Sequence, residues 1–315
     1  MTQVKIIADS MSPYGERLTT MQVKFHRFIL PEFNTHRVFS RNFSSSRAIP
    51  VSKLIEQVRT DPAMPLYWGS NKPGMQAGEE LSGSDLWQAK EVWKNGAKIA
   101  ANYAETMMKF GLHKQVANRL LEPFLWAHGI VSSTEWDNFF ALRCHPDAQP
   151  EIRVLAEMMK KAIEESTPID LSYGQWHLPY VKESDYQKIA IFLHDSGALV
   201  NQTNINILAG QVSAARCCRV SYLTHDGRES TIDEDIALCQ RLAGADPMHC
   251  SPFEHQATPD KTSVRQTGVR MFGDEWLTPD LHGNFNGWIQ HRKMLEAQKK
   301  TPELETLFLK RKETT

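Results

Sequence analysis

"MQVKFHRFIL", residues 21–30, alternates apolar and polar side chains before running into an apolar end. A period of two marks a strand with one buried face. "QVKIIAD", residues 3–9, carries similar β-type patterning. Together they predict strands near 3–8 and 21–30, with a turn over Ser10–Arg17 and Pro31 ending the second. Helical spacing dominates beyond them. Helices are expected at 51–60, at 84–111 with Leu86, Ala89, Val92, Trp93 and Ala97 on one face, and at 113–128 with a kink at Pro123. "TEWDNFFALR" and residues 148–166 read as two more, Pro150 suiting the first turn of the latter. "PIDLSYGQWHLPYV", residues 168–181, reads as a loop or lid. Helices follow at 183–196, 203–222 and 231–243, and "TSVRQTGVRMF" returns to strand patterning. With strands at both ends and helices between, the expectation is one α+β domain. Its terminal segments would meet in a common, mainly antiparallel sheet.

Composition narrows the function. The chain has 315 residues, 41% hydrophobic and 23% charged, with a net charge of −1. That balance gives no global pull toward nucleic acid or an anionic membrane, so any anion site must be local. Cys144, Cys217, Cys218, Cys239 and Cys250 are odd in number and irregularly spaced, which reads as reduced, mostly buried thiols. No apolar run approaches the roughly 20 residues of a membrane span. The start lacks a signal-peptide pattern. These features predict a soluble cytoplasmic protein.

The local anion site suggests itself in "NTHRVFSRNFSSSRAIP", residues 34–50. No acidic residue lies between Glu32 and Glu56. Arginine grips phosphate with a planar fork, and serine hydroxyls with backbone N–H groups can complete a cradle. Arg37, Ser45 and Arg47 could therefore hold a nucleotide phosphate. A solvated surface turn explains the same composition, and an RNA loop is weaker because stacking aromatics are few. Gln115, Asn118, Arg119 and Glu122 share a helical face, which is usually a solvated side. Arg143 ends an apolar segment and needs a partner if buried: Glu151, Asp147 or a bound anion. In "MHCSPFEHQ", the spacing of His249, Cys250, Glu254 and His255 does not favour a metal. There is no P-loop, G-x-G-x-x-G or G-x-S-x-G motif.

His36-Arg37, seven residues, then Ser45 is similar to the R-H-R-x7-S signature of flavin-dependent thymidylate synthases. Asn42 and Arg47 match its extended form. Arg119 in "ANRLLEPF", and Asn138, Arg143 and Gln149 in "WDNFFALRCHPDAQPEI", continue the resemblance. The chain departs from the pattern at Thr35, Phe43, Ser132, Thr134 and Asp147. "SAARCCRVSY", residues 213–222, and "SPFEH", residues 251–255, resemble segments that precede the signature in the family, so the chain resembles a divergent, circularly permuted member of phage or bacterial type. Gln290-His291-Arg292 is a second, partial likeness to R-H-R.

The resemblance implies a thymidylate synthase-complementing-protein-like fold and methylation of dUMP at uracil C5. Methylenetetrahydrofolate would supply the carbon, FAD the hydride and NADPH the reducing power. It implies dUMP contacts at Asn42, Ser45, Ser46, Arg47, Arg119 and Arg143, with Arg143, Ser45 and Arg119 nearest the chemistry. It implies FAD contacts at His36, Arg37, Asn138, Ser221, Glu254, His255, His291 and Arg292, and no metal. A homotetramer is expected, with no nucleic acid or membrane partner. The single domain 1–315 would comprise a motif segment (20–50), a helical segment (84–166), an insertion (170–205), a permuted segment (206–293) and a charged tail (294–315). The alternatives are flavin-dependent hydroxymethylation of a deoxypyrimidine nucleotide, and a non-catalytic nucleotide- or RNA-binding homologue.

Overall fold

A computed structural model describes residues 1–220, 228–262 and 275–300. The alternation at the start of the chain produces strands β1 (Gln3–Met11) and β2 (Arg17–His26), paired antiparallel. Ser12 Oγ accepts the backbone N–H groups of Tyr14 and Glu16 and so closes the turn. Pro31 does not end the second strand, as the sequence suggested. β2 stops at His26, and Pro31 sits in the first turn of a short helix, α1 (Leu30–Asn34), where its missing N–H costs nothing. The signature region then gives β3 (Ser40–Phe43), and α2 (Val51–Thr60) follows Pro50.

Helix α3 (Gly83–Lys109) buries Ala97, Ala101 and Ala104 against α2. Val92, expected on the inner face, is 71% exposed. The helix expected at 113–128 does not form as such. A four-residue α4 (Lys114–Ala117) passes into a 3-10 stretch, Asn118–Phe124, and then into strand β4 (Trp126–Ser133). Pro123 helps break the helix, and "WAHGIVSS" pairs with β2 along its whole length. Helices α5 (Asp137–Arg143) and α6 (Pro150–Glu165) come next, and β5 (Ile169–Asp170) adds beside β1 in parallel. The sheet order is β3-β4-β2-β1-β5, and all pairings but the last are antiparallel.

Odd-numbered residues of β2 and β4 (Met21, Val23, Phe25, Ala127, Val131) face α5 and α6 and form one core with Phe33, Phe39 and Phe139. Fully burying each of these side chains other than Ala127 contributes about 1.5–3 kcal/mol. Of the even-numbered residues, Lys24, His26 and Trp126 meet residues 61–64, whereas Thr20, Gln22 and Ser132 face the carboxy-terminal half. There α7 (Glu183–Asp195), α8 (Gln202–Cys218) and α9 (Ile232–Gly244) pack together. Arg216 joins them, donating to Asp185 on α7 and Asp235 on α9 with all three side chains buried. Removing one partner of such a trio strands a buried charge.

The segment 168–181, expected as a loop or lid, is mostly irregular, with 172–175 exposed, but its end turns inward: His177, Leu178 and Tyr180 are buried. The last strands, β6 (Ala257–Pro259) and β7 (Trp288–Gln290), pair with each other and do not join the five-stranded sheet. They meet the amino-terminal strands through packing, with Leu18 against Ala257, Phe285 and Trp288. Helix α10 (His291–Lys300) follows. The strand expected at 262–272, the end of the helix expected at 203–222 and most of the charged tail fall outside the described residues.

Candidate functional site

The site is built around the loop that links β3 to α2. Asn118, read from sequence as part of a polar stripe, is fully buried, and its Nδ2 donates to Ser46 O (2.6 Å) and Ile49 O (3.2 Å). That clamp holds the Ser45–Arg47 turn. The Ser46 hydroxyl is buried and donates to Glu122 Oε1 (2.9 Å), the oxygen that also accepts from Arg119 Nη1 (2.6 Å) and Arg27 Nη2 (3.3 Å). Ser46 and Arg119 are thus brought together through Glu122. Ser45 and Arg47 are exposed; Ser45 Oγ accepts the Arg47 N–H at 3.3 Å.

A second group lies where α1 and α5 approach. His36 is buried, and its Nε2 accepts from Arg143 Nε at 2.9 Å. Arg143 therefore pairs with neither Glu151 nor Asp147. Glu151 accepts the Leu66 N–H instead, and Asp147 lies beside His145. Burial, then Arg143 and Arg41, lower the His36 pKa, so its imidazole stays neutral and can accept. Arg41, in the same arginine-serine stretch, donates to the carbonyls of Asn34, His36 and Phe39 and fixes the shape of this bend. Arg37 and Asn138 are exposed, and Arg37 borders a shallow depression with Glu135, Asn284 and Asn286. Among the described residues Arg37, Arg47 and Arg143 make no ion pair.

The remaining predicted residues go elsewhere. Asn42 binds within the fold: its Nδ2 donates to Cys217 O at the end of α8, and its Oδ1 accepts from Ser251. His255 is wholly buried, its Nδ1 at 2.8 Å from Ser132 Oγ, which presents no face to a ligand. Glu254 pairs with Arg292, which also donates to Glu296. His291 lines a cavity beside α8. Ser221 lies outside the described residues.

Four of the five departures from the signature pattern have internal uses. Phe43 lies over Gly129 of β4, where a Cβ would come within 2.2 Å of its ring, and packs edge-on to Phe25 and Phe33. Ser132 Oγ lies between Thr20 Oγ1 (2.6 Å) and His255. Thr20 Oγ1 also meets His177 Nε2 (2.7 Å), whose Nδ1 reaches Ser10 Oγ (2.9 Å). This buried chain of five groups was not read from the sequence. Thr134 Oγ1 accepts the Asn286 N–H, and Thr35 Oγ1 donates to Glu32 O.

The family model of the thymidylate synthase complementing protein matches residues 9–169, half of the chain, and the chain belongs to that family. The late segments around α8 and Ser251–His255 lie outside the match but pack onto it through Asn42 and Ser132. Among solved structures the chain is similar to the UMP/dUMP methylase PolB from Streptomyces cacaoi bound with 5-Br UMP. There the identity is 17%, with 52% of this chain and 89% of that chain covered at a TM-score of 0.43. The same protein with 5-Br dUMP gives 15%, 52%, 90% and 0.43. Thymidylate Synthase X from Helicobacter pylori with FAD and dUMP gives 18%, 46%, 67% and 0.33. No curated protein matches by sequence. No helix among the described residues is long and apolar enough to cross a membrane.

Proposed function

We propose that this protein is a flavin-dependent enzyme that methylates dUMP at uracil C5, with methylenetetrahydrofolate as carbon donor and NADPH as reductant. The observation that carries the reading is the pair of guanidinium groups without ion pairs, Arg47 and Arg143, within the family's motif region. Each is presented by a braced element: Arg47 by the turn clamped by Asn118, Arg143 by His36. Ser45, Arg47 and Arg119 would hold the nucleotide phosphate. Arg143 keeps its terminal N–H groups available to the uracil carbonyls, which they would hold in place while C5 meets the carbon donor. His36 orients that guanidinium through Nε2.

The residues present fit a flavin dinucleotide in part. Arg37 and Asn138 are exposed, and an anionic pyrophosphate or ring carbonyl suits them. His255 does not suit a direct contact, being enclosed with Ser132. When bound, FAD would supply the hydride that completes the methyl group.

We read the chain as one functional unit, with the late segments as circularly permuted family elements. A homotetramer follows from the family reading. It is supported by Val92, Ile99 and Tyr103 of α3, which share one helical face with Phe110 just beyond it and are all more than half exposed. The test is anaerobic incubation of the protein with dUMP, FAD, NADPH and methylenetetrahydrofolate, followed by mass spectrometry of the nucleotide. A methyl adduct is expected. A hydroxymethyl adduct would replace this reaction with its nearest alternative, and unchanged dUMP would refute both.

A further inference from the structure

Helix α4 and the 3-10 stretch behind it present one face to the serine-arginine turn. Lys114 and Asn118 are four residues apart, which puts them on the same side of a helix. Asn118 Nδ2 donates to Ser46 O and Ile49 O, and Lys114 Nζ donates to Ala48 O at 3.0 Å. Arg119, next along, reaches Ser46 through Glu122. His113 Nδ1 accepts the Gln115 N–H and caps the start of α4, so the placement of Lys114 is built into the chain.

The donations from Asn118 and Lys114 differ in kind. The Asn118 amide is fully buried. Lys114 is only half-buried and Ala48 is exposed, so water can take the place of the ammonium on the Ala48 carbonyl at little cost. A brace at this point needs no charge. An ammonium carries three donors, of which Ala48 O takes one. Among the described residues no carboxylate pairs with Lys114. The surrounding charge is out of balance as well. Arg47 belongs to the turn, Lys114 touches it, and Arg27 and Arg119 reach it through Glu122. Glu122 is the one carboxylate bonded to the turn among the described residues, and Ser46, Arg27 and Arg119 already share it. Four cations around one carboxylate suit a dianion. A phosphate monoester carries about −1.5 to −2 charges at neutral pH. An arginine fork orients its oxygens, and a lysine adds a point charge beside them.

We propose that Lys114 is a phosphate-binding residue of the nucleotide site, completing with Arg47 and Arg119 a set of three cations around the phosphate. The inference rests on the phosphate half of the reading above, that Ser45, Arg47 and Arg119 hold a nucleotide phosphate, and not on methylation.

The test is calorimetric titration of the full chain with dUMP, dCMP, dAMP and dGMP and with the matching nucleosides, at low and high salt. It is repeated on Lys114→Gln and Lys114→Arg, with circular dichroism to confirm the fold. At least one monophosphate is expected to bind at least tenfold more tightly than its nucleoside. Lys114→Gln should weaken that monophosphate at least fivefold, leave any nucleoside binding unchanged and flatten the salt dependence. Lys114→Arg should hold its affinity within twofold of wild type. A residue that only braced the turn would not move the salt dependence. Wild-type affinity in Lys114→Gln, equal losses in both variants or an unchanged salt dependence would overturn the assignment. So would the failure of all four monophosphates to bind at millimolar concentration. If a monophosphate other than dUMP binds in the Lys114-dependent way and dUMP does not, or if dUMP binds in that way and is not methylated, only the methylation reading falls.

Discussion

Asn118→Ala tests whether the serine-arginine turn is a built structure or a free surface loop. The wild-type amide is fully buried and makes two donations, to Ser46 O at 2.6 Å and Ile49 O at 3.2 Å. Net contributions of about 0.5–1.5 kcal/mol per bond put their loss at roughly 1–3 kcal/mol. Two effects trim that figure. Asn118 Oδ1 has no partner in the fold, so removing it relieves an existing cost. Ser45, Arg47 and Ala48 are exposed, so the turn can move its freed carbonyls toward water. The expected loss is about 2 kcal/mol, against a typical domain stability of about 5–15 kcal/mol, so the variant folds. Urea denaturation with an unchanged m-value should report it as a lowered midpoint. A loss below about 0.5 kcal/mol would show that the clamp does not hold the turn. If the turn also holds phosphate, dUMP affinity should drop several-fold in the same variant.

The remaining predictions concern charge, pH and assembly. Arg47→Ala should weaken dUMP binding far more than FAD binding in equilibrium titrations; equal loss of both would remove Arg47 from the phosphate site. Arg143→Ala should abolish turnover with the fold retained by circular dichroism, and retained turnover would exclude it. His177 and His255 have pKa values lowered to about 3, burial being the first cause for both. Unfolded histidine takes its proton near pH 6.5, so stability is complete above that pH and falls as pH drops toward 3. Each contributes a slope approaching about 1.4 kcal/mol per pH unit below pH 6.5, so the unfolding free energy from urea titrations should be roughly 2–3 kcal/mol lower at pH 5.5 than at pH 7; equal values would refute the burial argument. Replacing Val92 and Tyr103 with Lys should shift the mass seen by light scattering toward the monomer, and an unchanged mass would exclude the α3 face from assembly.

Much of the fold was legible because period-two and period-3.6 patterns are local. β1, α2, α3, α5, α6, α7 and α9 lie close to where patterning put them, and β2 is displaced by four residues toward the start of the chain. The main miss was β4. Its "WAHGIVSS" is apolar on both sides of the pleat because both faces of the sheet are covered, so it lacks the alternation that marks a half-buried strand. The strand also follows a helical turn directly, which let the helical reading run on to 128. Pro31 misled for a related reason: a proline fits both a strand end and a first helical turn. At the site, the arginine-serine composition located the turn but not the side-chain directions. Ser46 looked like a ligand group and Asn118 like part of a solvated face, and both make bonds within the fold. His255 looked like a flavin contact and is enclosed. Hydrogen bonds that cross from one end of the sequence to the other, such as Asn42 to Cys217, leave no periodic trace.

The departures from the family signature make more sense in three dimensions than along the chain. Ser132 and Thr134 stand at the end of β4, where the late segments dock. Ser132 meets His255, and Thr134 receives the Asn286 N–H. Asn42, which fits the signature, ties the same sheet edge to α8. The polar groups at this edge are therefore engaged in holding the carboxy-terminal half against the sheet. Side chains bound in this way cannot also turn toward a ligand. The guanidinium groups of Arg37, Arg47 and Arg143, by contrast, make no ion pair among the described residues. A chain with a net charge of −1 has carboxylates available to neutralise them, yet Glu122 takes Arg119 and Arg27, and Glu254 takes Arg292. Arg47 thus stands on a turn held from beneath by the buried Asn118 amide, which is what the proposed phosphate site needs.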